Sequence, residues 1–294
     1  MRPINAREYY HEQDREALET LKSIPGFTPA LKAFMKVFNE KMMHGLNMSS
    51  KIRLGPKQYP EVYAYLPPVC AALGIDEPEF YLEMDPYPNA YTYGDSQVFI
   101  TVTSGLLEHM EEDEIKAVVA HECGHVACRH VLYHTMASLI LHGGSSLLGL
   151  GLFTVPLQLA LFHWQRCSEF SCDRAAAIYM KGADSVIDTM IRLAGGKKDL
   201  TSKIDKELYL RQAEDYSQMV GTSAWNKTLQ YLVLMNRTHP FLSVRAAEIK
   251  KWCDTDYFRR LLIYAEEKPG ARCNYCASPS EESWKFCRKC GQKM

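Results

Sequence analysis

The sequence of 294 residues lacks an excess of either charge, because 34 lysines and arginines nearly balance 35 aspartates and glutamates. This balance gives no global attraction to nucleic acids or to membrane surfaces. The first 21 residues also lack the apolar core of a secretory signal, since charged residues interrupt them throughout. We therefore expect no export signal. The hydrophobic content of 47% predicts an ordinary globular chain with a sizeable core.

The ten cysteines lack a pattern that requires disulfide bonds. Four of them form two C-x-x-C pairs separated by ten residues, the second pair being followed by glycine: Cys273, Cys276, Cys287 and Cys290. Thiolates at this spacing predict a structural zinc in a C-terminal zinc ribbon, whose metal supplies folding energy that so short a segment cannot obtain from a core. Such a ribbon is either a stabilising cap or a docking module for a protein partner, and nucleic acid is not required. The cysteine usage fits a reducing compartment, so we expect a cytoplasmic location.

The centre of the sequence is the motif His121-Glu122-Cys123-Gly124-His125. On a helix the two histidines lie four residues apart on one face, so both imidazoles can reach one metal ion, with Glu122 beside the first. The preceding residues predict that helix, because an acidic start precedes an apolar stripe at helical spacing. The motif is typical of catalytic zinc sites.

A catalytic zinc takes three protein ligands and keeps one position open for water. A metzincin would continue with glycine at 128 and histidine at 131, whereas this chain has Cys128 and Val131, so that class is excluded. Glu169 and Asp173 lie four residues apart on a later predicted helix. We predict that Glu169 is the third ligand and that Asp173 orients His121 by accepting its far N–H. The two carboxylates could exchange these roles.

With these motifs, the sequence resembles the zinc metallopeptidases that include bacterial HtpX and the CAAX prenyl endopeptidases, a branch of the gluzincins. Three further stretches agree with that pattern: Pro88-Asn89-Ala90, Ser104-Gly105-Leu106-Leu107, and His239-Pro240 with Arg245. The resemblance implies zinc-dependent proteolysis. It also implies that Asn89 and Ala90 lie near a substrate-binding edge strand, and that His239 and Arg245 lie near the cleft.

We predict the function of a zinc endopeptidase that hydrolyses extended polypeptides. Glu122 is the predicted general base, which takes a proton from metal-bound water and passes it to the leaving amine. His239 is either a donor to the tetrahedral oxyanion or a structural histidine. Arg245 either binds substrate or only pairs with a carboxylate. The competing hypotheses are a non-catalytic zinc scaffold that binds peptides or acts through its ribbon, and a hydrolase of non-peptide amides.

The predicted fold is α+β: a mostly helical, gluzincin-like zinc-metallopeptidase domain with a small antiparallel sheet, plus the C-terminal ribbon. Short aromatic and β-branched runs separated by turn residues predict strands at 79–84, 89–93 and 97–102. We expect four segments, which are an N-terminal helical region packed on the peptidase domain at 1–56, the peptidase domain at 57–265, a linker at 266–271 and the ribbon at 272–294.

The uncharged segment between Arg129 and Arg166 has 36 residues, fewer than the roughly 40 plus a turn that two membrane crossings need. A single crossing would place His125 and Glu169 on opposite sides. We therefore predict no transmembrane span and a connection over the cleft. Membrane-surface contact through residues 144–162 stays open, because this part is rich in leucine.

Two zinc ions of different lability are expected. The site at His121, His125 and Glu169 keeps an exchangeable position, whereas four thiolates close the ribbon site. Metal analysis after mild chelation should find that one zinc is lost together with activity and that one is retained. A single zinc in freshly prepared, fully folded protein would contradict this assignment.

Overall fold

The structure is a computed structural model that describes residues 2–37, 39–139, 155–220, 241–266 and 285–293. The helices of this part are α1 (Glu12–Ser23), α2 (Phe27–Val37), α3 (Glu40–Ser50), α4 (Pro60–Tyr63), α5 (Leu66–Leu73), α6 (Ser104–His109), α7 (Glu112–Ala127), α8 (Val131–Leu139), α9 (Val155–Met180), α10 (Asp184–Gly195), α11 (Lys198–Thr201), α12 (Lys206–Val220), α13 (Leu242–Cys253) and α14 (Asp256–Glu266). The strands are β1 (Ile52–Arg53), β2 (Glu79–Glu83), β3 (Ala90–Gly94) and β4 (Val98–Thr103). The predicted α+β class, mostly helical with a small sheet, is confirmed.

The sheet is mixed, which corrects the prediction of an antiparallel sheet. Its order is β1-β2-β4-β3, and β4 pairs parallel with β2 and antiparallel with β3. The connection from β2 to β3 contains Pro86 and Pro88, which have no N–H to donate and fix the backbone in a conformation unsuited to a tight hairpin. The two strands therefore separate, and β4 lies between them.

The helices α7 and α9 cross closely at the centre of the fold. A Cβ atom added at Gly124 of α7 would lie 3.0 Å from both the Cβ of Ala175 and the Cα of Cys172 on α9. The missing side chain therefore permits the close approach of the two backbones. At the start of α7, the Glu114 carboxylate accepts the N–H of Glu111 at 2.8 Å, as in a capping box. This crossing brings the two predicted metal-binding segments together.

The N-terminal helices pack on the first half of α9. A buried apolar cluster there joins Leu21 of α1 and Phe34 of α2 to Leu161 and Trp164 of α9. A larger cluster connects β2, β3 and β4 with α5, α7, α10 and α13. The candidate site lies where these two halves meet along α9.

In the part of the chain that the structure describes, no helix is both long enough and apolar enough to cross a membrane. Residues 144–154, for which membrane-surface contact was left open, lie outside the described residues. Residues 155–162 form the first turns of α9. Pro156 is placed in the first turn, where its missing N–H has no intrahelical partner to lose. Of the predicted linker at 266–271, Glu266 ends α14 and residues 267–271 lie outside the described residues.

Gly124→Ala should destabilise the protein even though alanine is the better helix former. Overpacking of a tight core contact costs typically about 1–3 kcal/mol, which exceeds the roughly 1 kcal/mol that alanine gains over glycine in a helix. Denaturant unfolding at fixed zinc concentration measures the difference. The matched control is Gly45→Ala in α3, where no atom lies within 4 Å of the added Cβ, and it should stabilise the protein. A similar gain in both variants would contradict the close-packing argument.

Candidate active site

Two histidines of α7 and one glutamate of α9 converge in a buried cluster. His121, His125 and Glu169 are 7%, 4% and 2% exposed. One oxygen of Glu169 lies 3.4 Å from Nε2 of His121, and its other oxygen lies 3.3 Å from Nε2 of His125. The sequence prediction named these three residues, and the structure brings them together.

The spacing of these atoms fits zinc. Zinc binds imidazole nitrogen and carboxylate oxygen at about 2.0–2.2 Å in a tetrahedral arrangement, whose ligand atoms are then about 3.3–3.5 Å apart. The observed separations of 3.3 and 3.4 Å agree with that edge length. The donor set of two imidazoles and one carboxylate is also a known catalytic set for this metal.

Cys172 offers an alternative ligand, because its sulfur lies within 4.8 Å of ligand atoms of His121 and His125. Its thiol lies 3.6 Å from Nδ1 of His130, which in turn lies 3.3 Å from Nδ1 of His125. Cys172 is therefore on the Nδ1 side, whereas Glu169 contacts both Nε2 atoms. Burial raises the pKa of the Cys172 thiol well above its ordinary value, which disfavours the thiolate that a metal requires. The geometry favours Glu169.

Asp173 and Arg245 lie directly behind the candidate ligands. The Asp173 carboxylate is 3.0 Å from Nδ1 of His121 and receives hydrogen bonds of 2.8 and 2.5 Å from Arg245. Arg245 also donates to Glu169 at 2.8 Å. Of the two predicted roles of Arg245, the structure displays the pairing with carboxylates, while a contact with substrate stays a prediction. The same arrangement suits Asp173 as the residue that orients His121.

The electrostatics of this cluster are strongly coupled. Burial raises the pKa of the Glu169 and Asp173 carboxyls, but attraction to Arg245 and His121 outweighs it and holds the pKa of each below its ordinary value. Burial lowers the pKa of His121, yet Glu169 and Asp173 outweigh it and raise that pKa to about 9. For His125, burial dominates and lowers the pKa. Protons and a metal ion thus compete for the same nitrogens.

Glu122 lies beside the edge strand β3. Its carboxylate, 2% exposed, accepts a hydrogen bond of 2.6 Å from the Thr92 hydroxyl. Two cavities with about 440 and 500 Å³ of empty space, partly open to solvent, both border Ala90 and Glu122. The first is lined by Asn89, Arg245 and apolar side chains, and the second by Tyr91, Tyr93, His134, Glu169 and others. The candidate base therefore lies between two cavities along the strand.

The strand β3 is the terminal strand of the described sheet. The Thr103 N–H donates to the Asn89 carbonyl at 3.0 Å, so these residues, next to the opposed pair Ala90 and Val102, hold a hydrogen-bonded position of the antiparallel register, while the Asn89 N–H donates to the Thr103 hydroxyl at 2.9 Å. Such pairs alternate along a ladder. Ala90 and Thr92 therefore direct their N–H and C=O groups away from β4, toward the outer edge. Beyond them, Thr135 occupies the outward groups of Gly94 with hydrogen bonds of 3.2 and 3.3 Å.

The remaining predicted residues are only partly described. His239 lies outside the described residues, as do Cys273 and Cys276. Cys287 and Cys290 lie in a tight turn in which Gly291 donates to the Cys287 carbonyl at 2.8 Å, with φ of +72° at the glycine.

Sequence reasoning missed several polar residues around the site. Thr92 was predicted only as a strand residue. His130 and His134 follow the motif and lie four residues apart, and this helical spacing could have indicated them. Asp14 of α1 contacts His130 at 3.0 Å, and no local pattern in the sequence predicts that contact.

Comparison with known proteins identified one family and several relatives. A model of peptidase family M48 matches residues 56–253. The chain is 29% identical over 276 residues to the plastoglobule-localized metallopeptidase 48, chloroplastic, of Arabidopsis thaliana, an alignment that covers 90% of this chain and 78% of that protein. It is 24% identical over 244 residues to a Protease HtpX homolog of Moorella thermoacetica, covering 73% and 76% respectively. No solved structure gave a significant match.

Asp173→Asn should keep the fold and weaken zinc binding roughly 10- to 100-fold, because the His121 ring loses its charged partner. Zinc affinity, measured by competition with a chelator, checks this. The matched control is Asp188→Asn, which alters a partly exposed ion pair with Lys206. Glu169→Gln should lose more zinc than Asp173→Asn. A larger loss of zinc in Asp173→Asn than in Glu169→Gln would mean that Asp173 is the ligand and Glu169 the supporting carboxylate.

Proposed function

The chain belongs to peptidase family M48, and on that premise we propose that it is a zinc-dependent endopeptidase acting on extended polypeptides. Membership of this family makes it a metallopeptidase, and the predicted HtpX-like resemblance is confirmed. One observation carries the proposal most directly: His121, His125 and Glu169 converge at zinc-like spacing next to Glu122 and an edge strand.

In the proposed mechanism, His121, His125 and Glu169 would hold the catalytic zinc, which would supply a coordinated water of lowered pKa and would polarise the scissile carbonyl. Glu122 accepts the water proton and transfers it to the leaving amine. Thr92 fixes one oxygen of Glu122 by its hydrogen bond, which leaves the other oxygen for the proton. We retain the prediction that His239 donates to the oxyanion.

The proposed substrate is a polypeptide in extended conformation. The outward N–H and C=O groups of Ala90 and Thr92 offer a peptide backbone the hydrogen bonds of an added strand. Backbone pairing of this kind tolerates many sequences, while the cavities on both sides of Glu122 receive side chains. Asn89 and Arg245, which border the first cavity, are the proposed additional substrate contacts.

We further propose that the C-terminal segment holds a structural zinc through its four cysteines and serves as a docking module for a protein partner. The turn around Cys287 and Cys290 supports the metal site, since the Lys289 N–H donates to the Cys287 sulfur at 3.4 Å. The cytoplasmic location stays a prediction from cysteine usage.

The decisive experiment compares peptide cleavage across a whole proteome between the intact protein and Glu122→Gln. The substitution removes the proton acceptor but keeps the shape, so new termini should appear only with the intact protein. Zinc content must be equal in both. The absence of cleavage by the zinc-loaded intact protein would instead support a non-catalytic zinc scaffold.

Ala90→Pro should reduce kcat/KM several-fold on an unfolded protein substrate, while Ala90→Ser should not. Proline removes the outward N–H, and one lost hydrogen bond costs about 1 kcal/mol. Because that N–H does not bond to β4, the sheet ladder stays intact. Both variants are compared at equal zinc content.

A second form of this test changes the substrate. Peptides that are N-methylated at single positions should lose cleavage at alternate residues, which is the signature of strand pairing. If N-methylation at every position left cleavage unchanged, and if Ala90→Pro and Ala90→Ser were equally active, the edge-strand site would be contradicted.

A further inference from the structure

A chain of buried polar groups leads from His125 to the N-terminal helix α1. Nδ1 of His125 lies 3.3 Å from Nδ1 of His130, and Nε2 of His130 lies 3.0 Å from a carboxylate oxygen of Asp14. His130 and Asp14 are both fully buried. The contact therefore joins a candidate metal ligand to a residue more than a hundred positions away in the sequence.

The order of protons along this chain follows from the acceptor at its end. The Asp14 carboxylate only accepts hydrogen bonds, so Nε2 of His130 must carry a proton. The other nitrogen of His130, Nδ1, is then free to accept, and the nearer of its two possible donors is a protonated Nδ1 of His125 at 3.3 Å, the Cys172 thiol lying at 3.6 Å. His125 in that tautomer presents an unprotonated Nε2, which is the atom beside Glu169.

Asp14 is itself firmly held. Its carboxylate accepts a hydrogen bond of 2.9 Å from the Trp164 indole and one of 2.5 Å from the Ser171 hydroxyl. Ser171 also receives the backbone N–H of His11 at 3.0 Å, which ties the start of α1 to α9. Tyr10 adds a contact of 3.2 Å to Nε2 of His130. The site is thus built from three separate segments, and Asp14 lies before the residues that the family model matches.

We propose that Asp14, acting through His130, is a positioning residue that fixes the tautomer and ring orientation of the zinc ligand His125. This inference rests on the proposed zinc site but not on proteolysis. It gives His125 the support that Asp173 gives His121, with the His130 imidazole placed between ligand and carboxylate. The N-terminal helix then supports the proposed metal centre, because it supplies the carboxylate that accepts the Nε2–H of His130.

The first experiment compares two substitutions of His130 in the full-length chain. His130→Leu removes the acceptor and should weaken the binding of the chelator-labile zinc roughly 10- to 100-fold. His130→Asn offers an amide oxygen near the place of Nδ1 and should restore most of this affinity. Zinc affinity is measured by chelator competition and does not require activity. Equal weakening in both variants would overturn the proposal.

The second experiment tests Asp14 through coupling. Asp14→Ala should weaken zinc binding several-fold or more in the natural chain and have little further effect in the His130→Asn background, because residues acting through one ligand are not additive. Equal losses in both backgrounds, or no loss in the natural chain, would refute the role of Asp14.

The control for simple destabilisation is Leu21→Ala, which removes a fully buried side chain of the same helix outside the polar chain. It should lower the free energy of unfolding without changing zinc affinity. If Leu21→Ala weakens zinc as much as Asp14→Ala, the role of α1 is merely structural. Should Asp14→Ala fail to fold, the two His130 variants decide the question. A failure of the proposed proteolysis would leave these affinities unchanged, so the two ideas are tested separately.

Discussion

The buried carboxylate of Glu169 is held between Arg245 and the imidazoles of His121 and His125, and the whole centre depends on this contact. A buried charge is costly unless it is paired and hydrogen-bonded. Arg245 bonds to Glu169 and Asp173 together, so one cation compensates two anions whose natural repulsion would otherwise separate them. The guanidinium therefore sets the positions of Glu169, the proposed ligand, and of Asp173, the proposed partner of His121, at once. Because both carboxylates are buried, the Arg245 side chain must itself be buried to reach them.

Close packing of backbones makes that electrostatic arrangement reachable. The side chains of α7 and α9 meet at hydrogen-bond distance because Gly124 lets the helices approach. The same helix α7 presents Glu122 to Thr92 of the edge strand. The proposed metal ligands His121 and His125 thus share helix α7 with Glu122, which contacts the edge strand, and a displacement of α7 would alter both arrangements. Positioning by regular elements suits a reaction that needs its groups within a fraction of an ångström.

The sequence predicted the parts of the site that follow a helical period and little of what lies beyond it. His121 with His125 and Glu169 with Asp173 are pairs four residues apart, so helix geometry alone places each pair on one face. The strands were predicted from composition. The parallel pairing of β2 with β4 depends on long-range topology, which the order of residues within each strand does not encode. Asp14 could not be found at all, because a single acidic residue on a charged helix is normally solvated. Its burial is a property of the packing of α1 on α9.

The contacts that hold His121 and His125 form only when distant parts of the chain have packed together. The residues that orient the two histidines come from α1, α9 and α13, which are far apart in the chain. Local helix formation can pair His121 with His125, but it cannot fix their tautomers, since the carboxylates that do so arrive only with tertiary packing. If the histidines hold zinc as proposed, a partly folded chain would bind the metal weakly, and the full affinity would require all three helices in place. Zinc would then bind the native arrangement in preference and would stabilise the contacts of α1 as well as those of α7 and α9.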